Sequence, residues 1–281
     1  MSKTQAITSF INGGANEIEG WFYPHDMVIF YLLDAMQKQL DVRGNIAEVG
    51  VYKGKSLALL GMLARDEEQL YAFDAYPEDY LQKTRDVVQQ FCPWPLNLHY
   101  ITGDTAAYTT AQLQDTLSGR LRLLHIDAGH EYHEVLHSLY LIAPFVSDDG
   151  IIIMDDYHDR EFPGVAAAAL DFCLHATPRQ FAPFLIGGNK IYLCTPGNST
   201  RYHKSILSQN TFVDAMRLSR IRDHLVLVTA SKLPMKSAMI NQLIDNDVRD
   251  FSLQVDIERL ARIATRNAQN TTHAAAAVDK A

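Results

Sequence analysis

Short apolar runs alternate with amphipathic stretches through the middle of this chain. The runs are Ile46–Val49, Leu70–Asp74, Leu98–Ile101, Leu121–Ile126, Ile151–Met154, Phe181–Ile186 and Lys190–Cys194. Such near-continuous apolar segments predict strands covered on both faces. Helical patterns fall between the first six, around 54–65, 79–91, 107–117, 132–145 and 163–175. Strands alternating with helices predict an α/β fold whose seven strands are mostly parallel and joined by right-handed crossovers. Only Gly187-Gly188-Asn189 separates the last two runs, so they predict a hairpin and an antiparallel final strand.

The flanks break this rhythm. Residues 1–45 form a partly helical N-terminal or lid segment, with apolar positions at helical spacing between Met27 and Leu40. Residues 46–195 carry the alternation. Residues 196–281 read as an extension with one apolar run (Leu225–Thr229), one helical pattern (Asp256–Thr265) and an alanine-rich end (267–281) expected to be disordered.

Composition narrows the partners. With 47% hydrophobic and 21% charged residues, the 281-residue chain has an ordinary globular balance. A formal charge of −8 without a clustered basic face disfavours nucleic acid and points to a small-molecule partner. No run approaches the length of a membrane span, and the N-terminus lacks a secretory layout. Three scattered cysteines, Cys92, Cys173 and Cys194, suit a reducing, cytoplasmic setting. Homo-oligomerisation stays open.

Candidate chemistry gathers where strands end. Glu48-Val49-Gly50-Val51-Tyr52-Lys53-Gly54-Lys55-Ser56 leads from the first strand into the first helix. Only three residues separate Gly50 from Gly54-Lys55-Ser56, one too few for a P-loop. Tyr52 stands where a dinucleotide fingerprint needs its middle glycine. An acid-x-Gly-x-x-x-Gly loop suits a cofactor without phosphates, with Glu48 facing a cationic amino group. Asp74 ends the second strand, where a carboxylate can accept both hydroxyls of a ribose or simply cap a loop. Asp104 follows the third strand, where it could edge an adenine or cap the next helix.

Two later strands end in acids, as Ile126-Asp127-Ala128-Gly129-His130 and Met154-Asp155-Asp156-Tyr157. Parallel-sheet ligands sit outside the strand carboxyl ends, so one crevice should receive Asp127, Asp155, Asp156 and His130. Oxygen-only ligands suit Mg²⁺, Mn²⁺ or Ca²⁺, and an imidazole can act as base toward a metal-acidified hydroxyl. His125 reads as a satisfied core histidine, and Trp21-Phe22-Tyr23-Pro24 as a packing staple rather than a platform.

These residues resemble the class I S-adenosylmethionine-dependent methyltransferases, and more narrowly the macrocin O-methyltransferase (TylF-like) group. Ile126-Asp127-Ala128-Gly129-His130, Ile153-Met154-Asp155-Asp156-Tyr157 and Pro163-Gly164-Val165 carry the resemblance, which covers about residues 20–195. It implies a Rossmann-like seven-stranded, mostly parallel sheet with a terminal antiparallel hairpin and helices on both faces. It places Glu48, Gly50, Gly54, Ser56, Asp74, Asp104 and Asp127 around S-adenosylmethionine. It also implies Mg²⁺ on Asp127, Asp155 and Asp156, His130 as base, and a sugar or natural-product hydroxyl as acceptor. The stretch after 195 matches no such pattern. The competing readings are a nicotinamide-dependent oxidoreductase and a catalytically silent binding member of the same fold.

Overall fold

Apolar runs and amphipathic stretches become strands and helices nearly where their periodicity places them. The computed structural model describes residues 2–175, 181–208 and 216–229. In chain order these form α1 (Lys3–Ile11), α2 (Pro24–Gln39), β1 (Asn45–Val49), α3 (Lys55–Leu63), β2 (Gln69–Asp74), α4 (Tyr80–Phe91) and β3 (Asn97–Thr102). Then come α5 (Thr110–Thr116), β4 (Leu121–Ile126), α6 (Tyr132–Ile142), β5 (Val146–Met154), α7 (Pro163–His175), β6 (Ala182–Gly187) and β7 (Lys190–Cys194). The described chain closes with α8 (Pro196–Leu207), β8 (Met216–Ile221) and β9 (His224–Thr229). The helical pattern at Asp256–Thr265 and the alanine-rich end lie outside the described residues.

One sheet runs in the order β3-β2-β1-β4-β5-β7-β6-β9-β8. Its first five strands are parallel, and β7 is antiparallel to both β5 and β6, as the short Gly187–Asn189 link requires. Register sets the site: Val49 pairs with Phe73 and Ile126, and Ile126 pairs with Met154. The residues following β1, β4 and β5 therefore leave the sheet at one level.

Among the described residues the sheet has nine strands rather than the seven expected. β9 pairs parallel to β6, and β8 pairs antiparallel to β9 at the edge. Leu225–Thr229 is an apolar run in sequence, but its partner alternates Met216 and Leu218 with Arg217, Ser219 and Arg220. Charged outward positions suit an edge strand and hide it from an apolar-run search. The buried His25 Nε2 lies 3.1 Å from Thr229 Oγ1, so the start of α2 is tied to this added pair.

Apolar side chains from α1–α4 and α8 fill one face of the sheet, and those from α5–α7 fill the other. Residues 1–45 contribute directly: Phe10, Ile29, Leu33 and Met36 are buried in the first of these cores. Among the described residues no helix is long and apolar enough to cross a membrane.

Below the site, β4 buries a charge. Arg122 donates from Nε and Nη2 to the two Glu68 carboxylate oxygens (2.6 and 2.8 Å) and from Nη1 to Gln37 Oε1 (2.7 Å). Asp34 Oδ1 stands 2.9 Å from Nη2. Arg122→Met should cost about 3–5 kcal/mol, because it removes the buried partner of Glu68 and Asp34 and leaves them only the more peripheral Arg65 and Lys38. Urea unfolding measures this, and a loss below about 1 kcal/mol would show that the network is not needed.

Candidate active site at the strand carboxyl ends

β1 turns sharply into α3 through Gly50, whose φ is +86° and whose N–H donates to the Phe73 carbonyl at 2.8 Å. A Cβ there would lie 2.0 Å from the Asp127 carbonyl oxygen, so β1 and β4 meet only because the residue is glycine. Asp74 braces the turn. Its Oδ2 accepts from the Val51 and Tyr52 N–H groups (2.7 and 2.9 Å), and its Oδ1 accepts from Tyr76 N–H at 2.6 Å. One lone-pair direction on Oδ1 remains for a ligand.

This turn opens onto a cavity of about 990 Å³. Gly50, Ser56, Asp74, Asp104, Asp127, His130, Asp155 and Asp156 all line it, so most of the expected site residues share one space. Two do not. Gly54 starts α3 with φ +87° and packs on Thr84, away from the cavity. Glu48 is fully buried and pairs with His125, Oε1 lying 2.8 Å from Nδ1.

At the far end, the Asp127 N–H donates to the Val49 carbonyl and the Asp155 N–H to the Ile126 carbonyl, extending the ladder past each strand. Asp155 Oδ2 contacts the ammonium of Lys190, while Oδ1 accepts from the Asp156 N–H at 2.8 Å. Asp156 takes φ +55°, in the left-handed region. Its Oδ1 accepts from Asn189 Nδ2 at 2.8 Å, and its Oδ2 lies 3.1 Å from His130 Nε2. His130 in turn stacks on Phe162, ring centres 3.9 Å apart. The three acids thus converge as expected, but Asp156 spends both oxygens on neighbours. Among the described residues, the donor atoms that approach one another within 4.8 Å belong to His125, Asp127 and Asp155.

Lys190 is one of two residues at the crevice that sequence reasoning missed. It is 1% exposed, with Nζ 5.4 Å from the Phe22 ring centre and 6.0 Å from that of Phe30. Burial disfavours its charge, yet Asp155, Asp127 and Asp26 together hold its pKa above the ordinary value. Burial would likewise raise Asp155, but Lys190 and then His125 keep it below the usual carboxylate range. Asp127 is pushed well above that range by burial and then by the charge of Asp155, and Asp156 is raised by the same causes. The signal was a lysine opening an otherwise apolar strand, Lys190-Ile191-Tyr192-Leu193-Cys194, directly after a hairpin. Asp26 was also missed, since an acid in the first helical turn ordinarily serves the helix dipole.

The N-terminal aromatic segment is no packing staple. Phe22 is buried, but Trp21 and Tyr23 are 77% and 56% exposed and line the cavity mouth. Three contacts hold the segment there: Glu19 Oε2 to Lys53 Nζ (2.6 Å), the Tyr52 hydroxyl donating to Glu19 Oε1 (2.8 Å), and Lys55 Nζ donating to the Gly20 carbonyl (2.8 Å).

Burial pushes Asp26 up to about 7, partly offset by Lys190, against an ordinary 3.8. Between those values the folded chain keeps a proton that the unfolded chain has released. This group's contribution to stability therefore falls as pH rises from about 4 to 7. Asp26→Asn removes the titration, so the wild type should lose up to ~4 kcal/mol more than the variant over that range. Urea unfolding of both proteins at each end of the range checks it, and parallel losses would reject the assignment.

Comparison with known proteins gives the cavity a context. Residues 47–157, from β1 through the acids after β5, match a family model described as a methyltransferase domain (Methyltransf_24). No curated protein matches the chain. The O-methyltransferase NovP is structurally similar, at 17% identity over 69% of this chain and 99% of that one, with a TM-score of 0.52. So is the SAH-bound methyltransferase PaMTH1 of Podospora anserina, at 13% identity over 68% and 87% of the two chains, with a TM-score of 0.51. At such identities the likeness concerns the fold, and the fold is that of the class I methyltransferases.

Proposed function

We propose that the chain is an S-adenosylmethionine-dependent O-methyltransferase of the macrocin type, acting on a hydroxyl of a sugar or another natural product. One observation carries this reading: a single cavity joins the glycine turn after β1, whose spacing matches neither a P-loop nor a dinucleotide fingerprint, to an acid-lined crevice holding a histidine. About 990 Å³ is ample for two reactants. When bound, S-adenosylmethionine supplies a methyl group on a sulfonium, ready for attack by an oxygen. Gly50 would let it approach the backbone, Asp74 would accept from its ribose with the lone pair left on Oδ1, and Ser56 and Asp104 would border it.

The acceptor hydroxyl belongs beside His130. With Nε2–H donating to Asp156, the imidazole keeps a lone pair on Nδ1 to take the hydroxyl proton. Asp156 and Phe162 fix the ring in that orientation. Trp21 and Tyr23 wall the acceptor end and limit water. Holding both reactants in line would supply most of the acceleration, since such alignment is worth roughly 7–11 kcal/mol.

The crevice also fits a divalent cation. Acids outnumber fixed cations there, and burial followed by the charge of Asp155 keeps Asp127 well above its ordinary range, a strain that a positive ion would relieve. Asp127 and Asp155 would hold Mg²⁺, and Asp156 could join after releasing Asn189 or His130. Such an ion would make the acceptor hydroxyl more acidic.

Calorimetry should show one S-adenosylmethionine bound per chain, and no binding of NAD or ATP; failure to bind the first would sink the reading. His130→Ala should lower turnover by about 10²–10⁴ while leaving cofactor affinity nearly unchanged, and an unchanged rate would dismiss the base. Methyl transfer that survives EDTA would remove the metal from the scheme.

A further inference from the structure

Asp26 enters the cavity wall from the first turn of α2, where it is 1% exposed. Backbone N–H groups of Tyr23 and Asn189 approach its carboxylate, yet Oδ1 is buried without a hydrogen-bond partner. A side chain at Gly188 would overlap that oxygen, so the hairpin carries glycine where the acid reaches over it. Lys190 is engaged with Asp155 and does not line the cavity. A buried carboxylate oxygen left unmatched is costly, so its place in the wall calls for a donor that arrives with a ligand.

We propose that the acceptor carries a protonated amine, held between Asp26 Oδ1 and the ring faces of Trp21 and Tyr23. This rests on the methyl-transfer reading for what the ligand is, and extends it to the charge that ligand bears. Both rings are largely exposed at the cavity mouth, on the segment that leads into Asp26. An aromatic face attracts a cation through its quadrupole, most strongly in tryptophan. A carboxylate adds a charge-assisted acceptor for an ammonium N–H. An ammonium beside Oδ1 would also favour the ionised form of Asp26, which burial opposes.

The charge of the surrounding wall agrees. Beyond the acids placed on the cofactor and the metal, Glu134, Asp159 and Glu161 also line the cavity. Glu134 and Asp159 accept from the Glu131 and Glu161 N–H groups (3.4 and 2.7 Å) rather than from a cation. Among the described lining residues Lys55 is the one fixed cation, and it is bonded to the Gly20 carbonyl. Such a wall repels a phosphorylated or carboxylated acceptor and concentrates a cationic one. An amino sugar meets these terms, and a nucleotide-linked sugar does not. Asn189 joins the two halves of the acceptor end: its backbone meets Asp26, and its side chain donates to Asp156, which holds His130. An amine anchored at Asp26 would thus help to orient the hydroxyl that His130 deprotonates.

The test titrates cyclohexylammonium and its neutral counterpart, cyclohexanol, into the full-length protein saturated with S-adenosylmethionine. Calorimetry reads both affinities, at about 0.15 M salt so that distant charges are screened. The wild type should prefer the ammonium by about 10–100-fold, and Asp26→Asn should cut that preference by at least about tenfold. Should Asp26→Asn fail to fold, Trp21→Leu, at an exposed position, should lower the preference about 2–5-fold. Equal affinities in the wild type, binding of neither probe, or a preference untouched by both variants would overturn the proposal. So would an acceptor methylated equally well before and after acetylation of its amine. Failure of S-adenosylmethionine to bind, measured separately, would sink the methyl-transfer reading instead, and the preference for the ammonium would then be read without it.

Discussion

Holding several carboxylates together at the rim of a sheet is the constraint on which the rest of this structure depends. Glu48, Asp127, Asp155 and Asp156 come from three adjacent strand ends, and Asp26 is added from the start of α2. Two like charges ~4 Å apart near a protein surface repel by about 4 kcal/mol, so such a group cannot remain uniformly ionised. The chain meets the problem with a buried ammonium, an imidazole on each side, and carboxyl groups at Asp26 and Asp127 whose burial resists ionisation. Lys190 keeps one acid charged, and the others adjust around it.

Much of this was legible from residue order. β4 and its acids stood out because a strand buried on both faces reads as a continuous apolar run that stops abruptly at Asp127. The hairpin was legible because Gly187, Gly188 and Asn189 leave no room for a crossover. Gly50 could be recognised as a turn, but not as the point where β1 touches the Asp127 carbonyl, since that closeness comes from register between strands far apart in sequence. Gly54 looks identical on paper and only packs against Thr84. Glu48 was expected to face a ligand, yet the residue opposite it on β4 is His125, and pairing across strands leaves no local signature. Lys190 was hidden for the same reason: its partner lies on the neighbouring strand, and lysine at a strand start ordinarily points to water.

The outlying stretches are tied to the central sheet rather than appended to it. The helices before residue 45 supply apolar side chains to one of the two cores, and β8 and β9 widen the sheet beyond β6. The link from His25 to Thr229 joins these two stretches, and the following residue, Asp26, faces the crevice. Part of the cavity wall is therefore held by elements far outside the 47–157 segment.

The contacts of Glu19 and Gly20 with Tyr52, Lys53 and Lys55 have a thermodynamic meaning. The aromatic wall of one half of the cavity is bonded directly to the loop that shapes the other half. A ligand that repositions the loop must also change the free energy of the wall, and by linkage the reverse effect has the same magnitude. Two ligands sharing the cavity would then not bind independently, their affinities coupled through three polar contacts rather than through either binding surface.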